Sequence, residues 1–358
     1  MEMEGKQIKL GIVMPPIFTC PPKRYGGEIF SWDLAEALGC MGVEVHLFAL
    51  PGSQVPTGGY LHYVPDCPLE IFHIYEQSPI KFYKQMLDDP EFVWHDFTHS
   101  HIIHDYLFWN QKSNVISTPW GGWIQRPFYK NNVVTWSRFQ RELALQQGYP
   151  ASTRWVHGGT NTDVYCPDPE KPYEKSDYFL FMARMHPDKR PDVFLKLAET
   201  FPNARFVLAG SFGKDATPDH AYYGRIYAEM ARKLPNVMVE PDVSTEEKVY
   251  LLRHARALIH PSIRECFGLS IVESLACGTP AIVSDDGAFP EIILQGKTGW
   301  LARTFEEYVN AIKNIDVINP EDCTRDARQR FSRERVARDY LKVYHDVMDG
   351  KFGEASKG

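Results

Sequence analysis

The sequence predicts an α/β protein built as two successive units, each around a mostly parallel sheet. Three observations predict it. The first fifty residues read strand, loop, helix, strand. A proline- and charge-rich stretch, "CPDPEKPYEKSD" (166–177), then interrupts the pattern. After it, apolar strands and amphipathic helices alternate regularly to about residue 285. At 358 residues, two cores are also a better expectation than one.

Taken in order, "IKLGIVMPP" (8–16) is a short apolar run ended by prolines, the pattern of a buried parallel strand entering a loop. "EIFSWDLAEALGCMG" follows with Ile29, Trp32, Leu34, Leu38 and Met41 at helical spacing, and Gly42 ends it. "VEVHLFAL" is the next strand. "EFVWHDF", "SNVISTP" and "NNVVTWS" are further strands. Past the break, "YFLFMAR", "ARFVLAGSFG", "NVMVEPDV", "ARALIHPS" and "TPAIVSDDG" are strands. The helices between them are "RPDVFLKLAETFP", "YGRIYAEMARKLP", "TEEKVYLLRHA" and "FGLSIVESLACG". The last periodic segment, "SRERVARDYLKVYHDVMDG", comes after the second sheet is complete and is expected to cross back onto the first unit. The expected division is 1–168, 169–335 and a returning helix at 336–350.

Composition excludes several classes. Residues 1–170 carry 12 Lys and Arg against 18 Asp and Glu, and the remainder 27 against 28. With no basic face, nucleic acid is excluded as a partner, and membrane association is not indicated. Seven cysteines at wide spacings, with no CxxC pair, point to reduced thiols rather than disulfides or a structural zinc site. The acidic start "MEMEGKQIKLGIVMPP" is unlike a secretory leader, and no apolar run reaches membrane-spanning length. A cytoplasmic protein is expected.

The chemistry concentrates in "HPSIRECFGLSIVESLACGTPAIVSDDG" (260–287). A strand leaves the sheet at Pro261, "IRE" is a loop, and a helix starts near Phe267. Gly268 permits close approach of a ligand to the backbone. The free amides of Phe267, Gly268, Leu269 and Ser270 face an anion with the helix dipole behind them. Glu265 stands just before that site and Glu273 about one and a half turns inside the helix. Carboxylates there suit hydroxyl groups on either side of a phosphate. The spacing alone fits a solvated or ion-paired helix glutamate equally well. "FMARMHPDKRPD" adds Arg184 and Lys189 just past a strand's carboxyl end, where ligands of parallel sheets bind and a diphosphate finds two cations. "YGGEI" places Gly26 and Gly27 at another helix start. Neither a GxGxxG fingerprint nor a Walker A loop is present.

"RECFGLSIVESLACGTPAIVSDDGAFPEIILQGKTGWLA" resembles the signature of family 4 of the retaining glycosyltransferases: Glu, seven residues, Glu, then "GTPxVxSDxGGxPE" and "GxTGxL". "ARMHPDKRP" is similar to the family's Arg-to-Lys donor segment, and "PPKRYGGEIFSWDLAEALGCMGVEVHLFALPGS" to its glycine loop. The resemblance covers about residues 8–345 and is tighter in the second half. It implies the GT-B fold, two facing Rossmann-like domains with a central cleft, the first on the acceptor side and the second holding a nucleotide sugar. It implies that Arg184 and Lys189 hold the donor diphosphate, Glu273 the ribose and Glu265 the donor sugar. Phe267, Gly268 and Leu269 would offer amides, Gly26, Gly27 and Gly210 would line the donor, and Val243 would meet the base. No cofactor or metal is implied. The donor substrate is a nucleotide-diphosphate sugar, a UDP-sugar first. The acceptor is a carbohydrate, a lipid-linked sugar or a small molecule.

The chain also departs from the family pattern. Cys266 stands where glycine is usual, and "HGGTN" (157–161) replaces "PNGVD". In "WHDFTHSHIIHD" only His95 fits a His-x-His pattern, so His95 and His99 are the catalytic candidates on that side. "TPWGGW" replaces a "TLHG"-like loop, which puts Trp120, with His101, on the acceptor side. The expected activity is retaining sugar transfer without a metal. A sugar phosphorylase or nucleotide-sugar epimerase on the same fold, or a non-catalytic sugar-binding subunit, is the alternative. Oligomeric state is not legible.

Overall fold

The computed structural model describes residues 8–14, 19–22, 26–63, 91–96, 113–119, 132–213 and 218–353. The chain divides into two compact units, Met1–Gly158 with Arg333–Gly358, and Gly159–Ser332.

The first unit holds a seven-stranded sheet. Its strands are β1 (Lys9–Val13), β2 (Glu44–Ala49), β3 (Tyr60–Tyr63), β4 (Phe92–Asp96), β5 (Val115–Ser117), β6 (Asn132–Thr135) and β7 (Arg154–Trp155). Their order is β3-β2-β1-β4-β5-β6-β7, parallel throughout. Helix α1 (Gly26–Cys40) buries Leu34 and Leu38 of the periodic face read from the sequence, together with Phe30, while Ile29, Trp32 and Met41 are only half-buried. Helix α2 (Arg138–Gln146) was not expected. It buries Gln140 and Ala144, and Ser137 caps it by accepting from Gln140 N.

The second unit holds β8 (Tyr178–Arg184), β9 (Arg205–Ser211), β10 (Val237–Pro241), β11 (Ala257–His260), β12 (Ala281–Ser284) and β13 (Gly299–Ala302). Their order is β10-β9-β8-β11-β12-β13, again all parallel. The helices are α3 (Pro191–Thr200), α4 (Pro218–Ala231), α5 (Thr245–His254), α6 (Leu269–Ala276), α7 (Phe289–Ile292), α8 (Phe305–Lys313) and α9 (Pro320–Phe331). Complete capping boxes open α5 (Ser244 with Glu247) and α8 (Thr304 with Glu307).

The last helix, α10 (Arg333–Met348), belongs to the first unit and packs along α1. Tyr340 and Tyr344 are fully buried there, and Tyr340 lies edge-on to Phe30 at 6.3 Å. The unit boundaries fall at 158/159 and 332/333, where 168/169 and 335/336 were expected. Side chains account for the difference. Arg335 donates to the carbonyls of His157 and Gly158, which keeps all three in the first unit. The stretch at 166–177 is fastened to the second unit: Arg253 Nε donates to Cys166 O at 2.8 Å and Lys175 Nζ to Arg253 O at 2.7 Å. Among the described residues no helix is long and apolar enough to cross a membrane.

Candidate functional site

In the second sheet the chain adds β9 and β10 on one side of β8, then turns to add β11, β12 and β13 on the other. The order reverses between β8 and β11. Loops leaving two adjacent parallel strands in opposite directions open a crevice at their carboxyl ends, the usual ligand position of such sheets. Arg184 ends β8 and His260 ends β11, so the two segments picked out by sequence meet at this reversal.

The loop after β8 is a short 3-10 turn, Pro187–Lys189, capped by His186, whose Nδ1 accepts from Asp188 N at 3.3 Å. Ile263 N donates to Asp188 O at 3.2 Å and ties it to the loop after β11. This brings the Lys189 ammonium onto Glu265 Oε1, a close ion pair with 17% and 18% of the two side chains exposed. His260 is buried beneath, its Nε2 3.7 Å from Glu265 Oε1 and 3.1 Å from Ser262 Oγ. Burial alone would push the Glu265 carboxyl up. The Lys189 charge and the groups around it outweigh that and hold it well below the usual carboxylate range. Burial pushes His260 below its ordinary value and outweighs the pull of Glu265, so the imidazole is neutral at pH 7. The corner is thus one cation and one carboxylate, supported from below by a neutral ring.

Helix α6 begins at Leu269 with Gly268 as its N-cap, two residues later than expected. Gly268 has φ +121°, and a Cβ there would sit 2.9 Å from the Phe289 ring, so only glycine fits this entry. The amides presented by the helix start are therefore those around Leu269 and Ser270. Phe267 is 2% exposed and packs edge-on to Phe331 at 5.8 Å, serving the core.

Glu273, on α6, is only 4% exposed. Lys248 of α5 places Nζ 2.7 Å from its Oε2 and 5.3 Å from the centre of the Tyr165 ring. The ion pair is close, but its angles fall outside hydrogen-bond geometry, and Oε2 keeps unused acceptor capacity. Burial acts against the charged Lys248, but Glu273 and Tyr165 outweigh it and hold the ammonium above its ordinary range. Lys248 and Tyr165 were missed by sequence reasoning. "TEEKVYLL" offers Lys248 as one more charge on a capped helix, and nothing local says that it faces Glu273.

The remaining expected residues are placed as follows. Arg184 is exposed at the end of β8. Val243 is half-buried in the loop after β10, next to Asp242, whose Oδ1 accepts from Phe212 N at 3.1 Å. Gly210 pairs with Ala183 across the β8–β9 ladder, and a Cβ there would stand 1.9 Å from Ala183 O, so strand approach explains this glycine without a ligand. Gly26 and Gly27 open α1, and Ser31 Oγ donates to Gly27 O. His95 requires a correction. It is fully buried, with Nδ1 2.8 Å from the Tyr344 hydroxyl and Nε2 2.8 Å from Thr118 Oγ1, so both nitrogens serve the packing of α10 on β4. His99, His101 and Trp120 lie outside the described residues. Cys266 is 5% exposed, and burial with Glu265 beside it pushes its thiol up to about 12. It behaves as a small inert core residue. Among the described residues no cluster of His, Cys, Asp and Glu is arranged to hold a metal.

Comparison with solved structures establishes the fold. Sucrose-phosphate synthase from Thermosynechococcus elongatus superposes with a TM-score of 0.77 over 96% of this chain and 100% of its own, at 17% identity. The Anabaena protein HepE in complex with UDP and glucose gives 0.71 over 94% and 99%, at 14% identity. The chain thus has the GT-B α/β architecture expected from its sequence. Residues 167–331 match the model of the family Glycosyl transferases group 1. Among curated relatives, D-inositol 3-phosphate glycosyltransferase of Mycobacteroides abscessus is 26% identical over 215 residues, 56% of this chain and 48% of the relative. The protein of the same name from Mycobacterium sp. (strain JLS) is 30% identical over 168 residues, 44% of this chain and 38% of the relative. The matched stretches thus span less than half the length of these two relatives.

Proposed function

We propose that the chain is a retaining glycosyltransferase that moves a sugar from a nucleotide-diphosphate donor to an acceptor hydroxyl. The observation that carries this reading is the Lys189–Glu265 pair at the strand-order reversal, with the start of α6 beside it. A diphosphate entering there competes with Glu265 for the Lys189 ammonium. Arg184 and Lys189 then hold the phosphates and stabilise the charge that develops on the leaving group. Glu265, released from Lys189, turns to the donor-sugar hydroxyls. Glu273, beside Lys248 of α5, accepts from the ribose hydroxyls. The transition state is oxocarbenium-like, and the leaving phosphate takes the acceptor proton from the same face, so no protein carboxylate attacks the sugar. That differs from paired-carboxylate glycosidases. With cations and helix amides serving the diphosphate, the transfer proceeds without a metal. A UDP-sugar is the first donor to test, in line with the UDP and glucose named for the Anabaena structure. The acceptor is a carbohydrate, a lipid-linked sugar or a small molecule.

The test is a panel of UDP-, GDP- and ADP-sugars, read by slow donor hydrolysis and by the anomeric configuration of the product. One donor turned over with its anomeric configuration kept is expected. Inversion, or phosphate-dependent cleavage, would replace the reading.

A further inference from the structure

A second cavity lies in the same unit, away from the strand-order reversal. It has a volume of about 410 Å³ and runs along β13, the edge strand, under α8. Its wall is formed chiefly by Trp300, Gln295, Asn310, Asn314 and the Asp285–Arg303 ion pair. The cavity is within the size range of small-ligand sites. β13 stands two places beyond β11 in the sheet, roughly 10 Å across at ordinary strand spacing, so this is not the Lys189–Glu265 corner.

We propose that this cavity is a saccharide-binding site, separate from the donor site. Three observations give it that chemistry. Trp300 supplies an aromatic surface to the wall. Such a face packs against the C–H face of a sugar ring. The charges in the wall are already compensated. Arg303 Nε holds Asp285 Oδ2 at 2.6 Å, and Glu307 Oε2 accepts from the amides of Arg303 and Thr304 at the start of α8. An ionic ligand therefore gains little, while a neutral polyhydroxyl ligand finds donors and acceptors of both kinds. Two carboxamides one turn apart, Asn310 and Asn314, are exposed on α8 and flank the opening.

An open edge strand also invites an extended peptide as a further strand. Here Gln295 Oε1 takes the Leu301 amide at 2.7 Å, so a peptide must first displace it. A sugar needs no such exchange. The site stands on the cavity alone and does not depend on the donor reading.

The experiment titrates maltotriose, cellotriose and mannotriose, with an extended polyvaline-rich heptapeptide as the counter-probe, into the full chain. Tryptophan fluorescence and calorimetry read the binding. At least one trisaccharide is expected to bind in the millimolar range or tighter, unaffected by saturating UDP. N310A/N314A, two exposed changes that leave the core intact, is expected to weaken it at least tenfold while UDP affinity stays unchanged. Trp300→Ala, which removes the aromatic wall, is expected to weaken it as well. No binding of any trisaccharide, displacement by UDP, equal binding by N310A/N314A, or binding of the peptide instead would overturn the proposal.

Discussion

Glu265 carries a negative charge where burial alone would remove it, and Lys189 is the reason. This has a pH consequence with a definite sign. The carboxyl's folded pKa is depressed, so the pair's contribution is complete above the unfolded value of about 4.3 and is lost as pH falls toward the lower folded value. Lys189→Met removes that contribution, and its acid unfolding, followed by circular dichroism, is expected at a higher pH than in the parent chain. An unchanged acid midpoint contradicts the pairing. In the Glu273–Lys248 pair the carboxylate is the buried partner, with 5% of its side chain exposed against 24% of the lysine's. Glu273→Ala leaves the Lys248 ammonium without its counter-ion, at a cost of about 1–3 kcal/mol. The double change E273L/K248M removes both charges and is expected to recover most of that in urea unfolding. A single change within about 0.5 kcal/mol of the parent would mean that the two groups are solvated rather than paired.

At the scale of the elements, two junctions fix where side chains point. The first is the entry to α6, where Gly268 adopts a conformation that L-residues avoid and lies against Phe289. Gly268→Ala is expected to cost about 1–3 kcal/mol from the backbone alone and to weaken nucleotide binding by shifting the Leu269 and Ser270 amides. Full nucleotide affinity in that variant would mean that the helix start does not touch the ligand. The second is α10, held to β4 through His95 and Tyr344. Tyr344→Phe loses that hydrogen bond, about 1 kcal/mol, and is expected to speed hydrogen exchange in α10 while leaving the second unit unchanged. His95 also shows where sequence reasoning stops. "WHDF" looks alike whether its histidine faces a substrate or a tyrosine 249 residues further on, because only the folded chain brings Tyr344 to it. The same holds for Lys248. Short-range grammar was legible: "LGIV" as a buried strand, and Arg184 and Lys189 just past a strand's carboxyl end. Helix α2 is nine residues long and buries one apolar side chain, Ala144, so its segment is short and mostly polar.

At the scale of the whole molecule, the chain is two parallel-sheet units, and the proposed nucleotide chemistry sits in the one matched by the family. The boundary read at residue 168 came from composition: prolines and charges look like a linker. Folding instead ties Cys166 and Lys175 to Arg253 of α5, so a linker-like composition became part of the second unit. A nucleotide that binds the folded second unit and not the unfolded chain raises that unit's stability by mass action, about 2.7 kcal/mol at a hundredfold excess over its Kd.

Calorimetric titration of UDP into the full chain and into its Lys189→Ala and Glu273→Ala variants tests the donor site most directly, with GDP and ADP run alongside to cover the choice of base. One of the three nucleotides is expected to bind the parent chain saturably. Each variant is expected to lose about 1–3 kcal/mol, roughly 5- to 150-fold in affinity, with the fold intact by circular dichroism. Undiminished nucleotide affinity in both variants, or no binding of any of the three to the parent chain, would contradict the assignment of the donor site to this corner of the second unit.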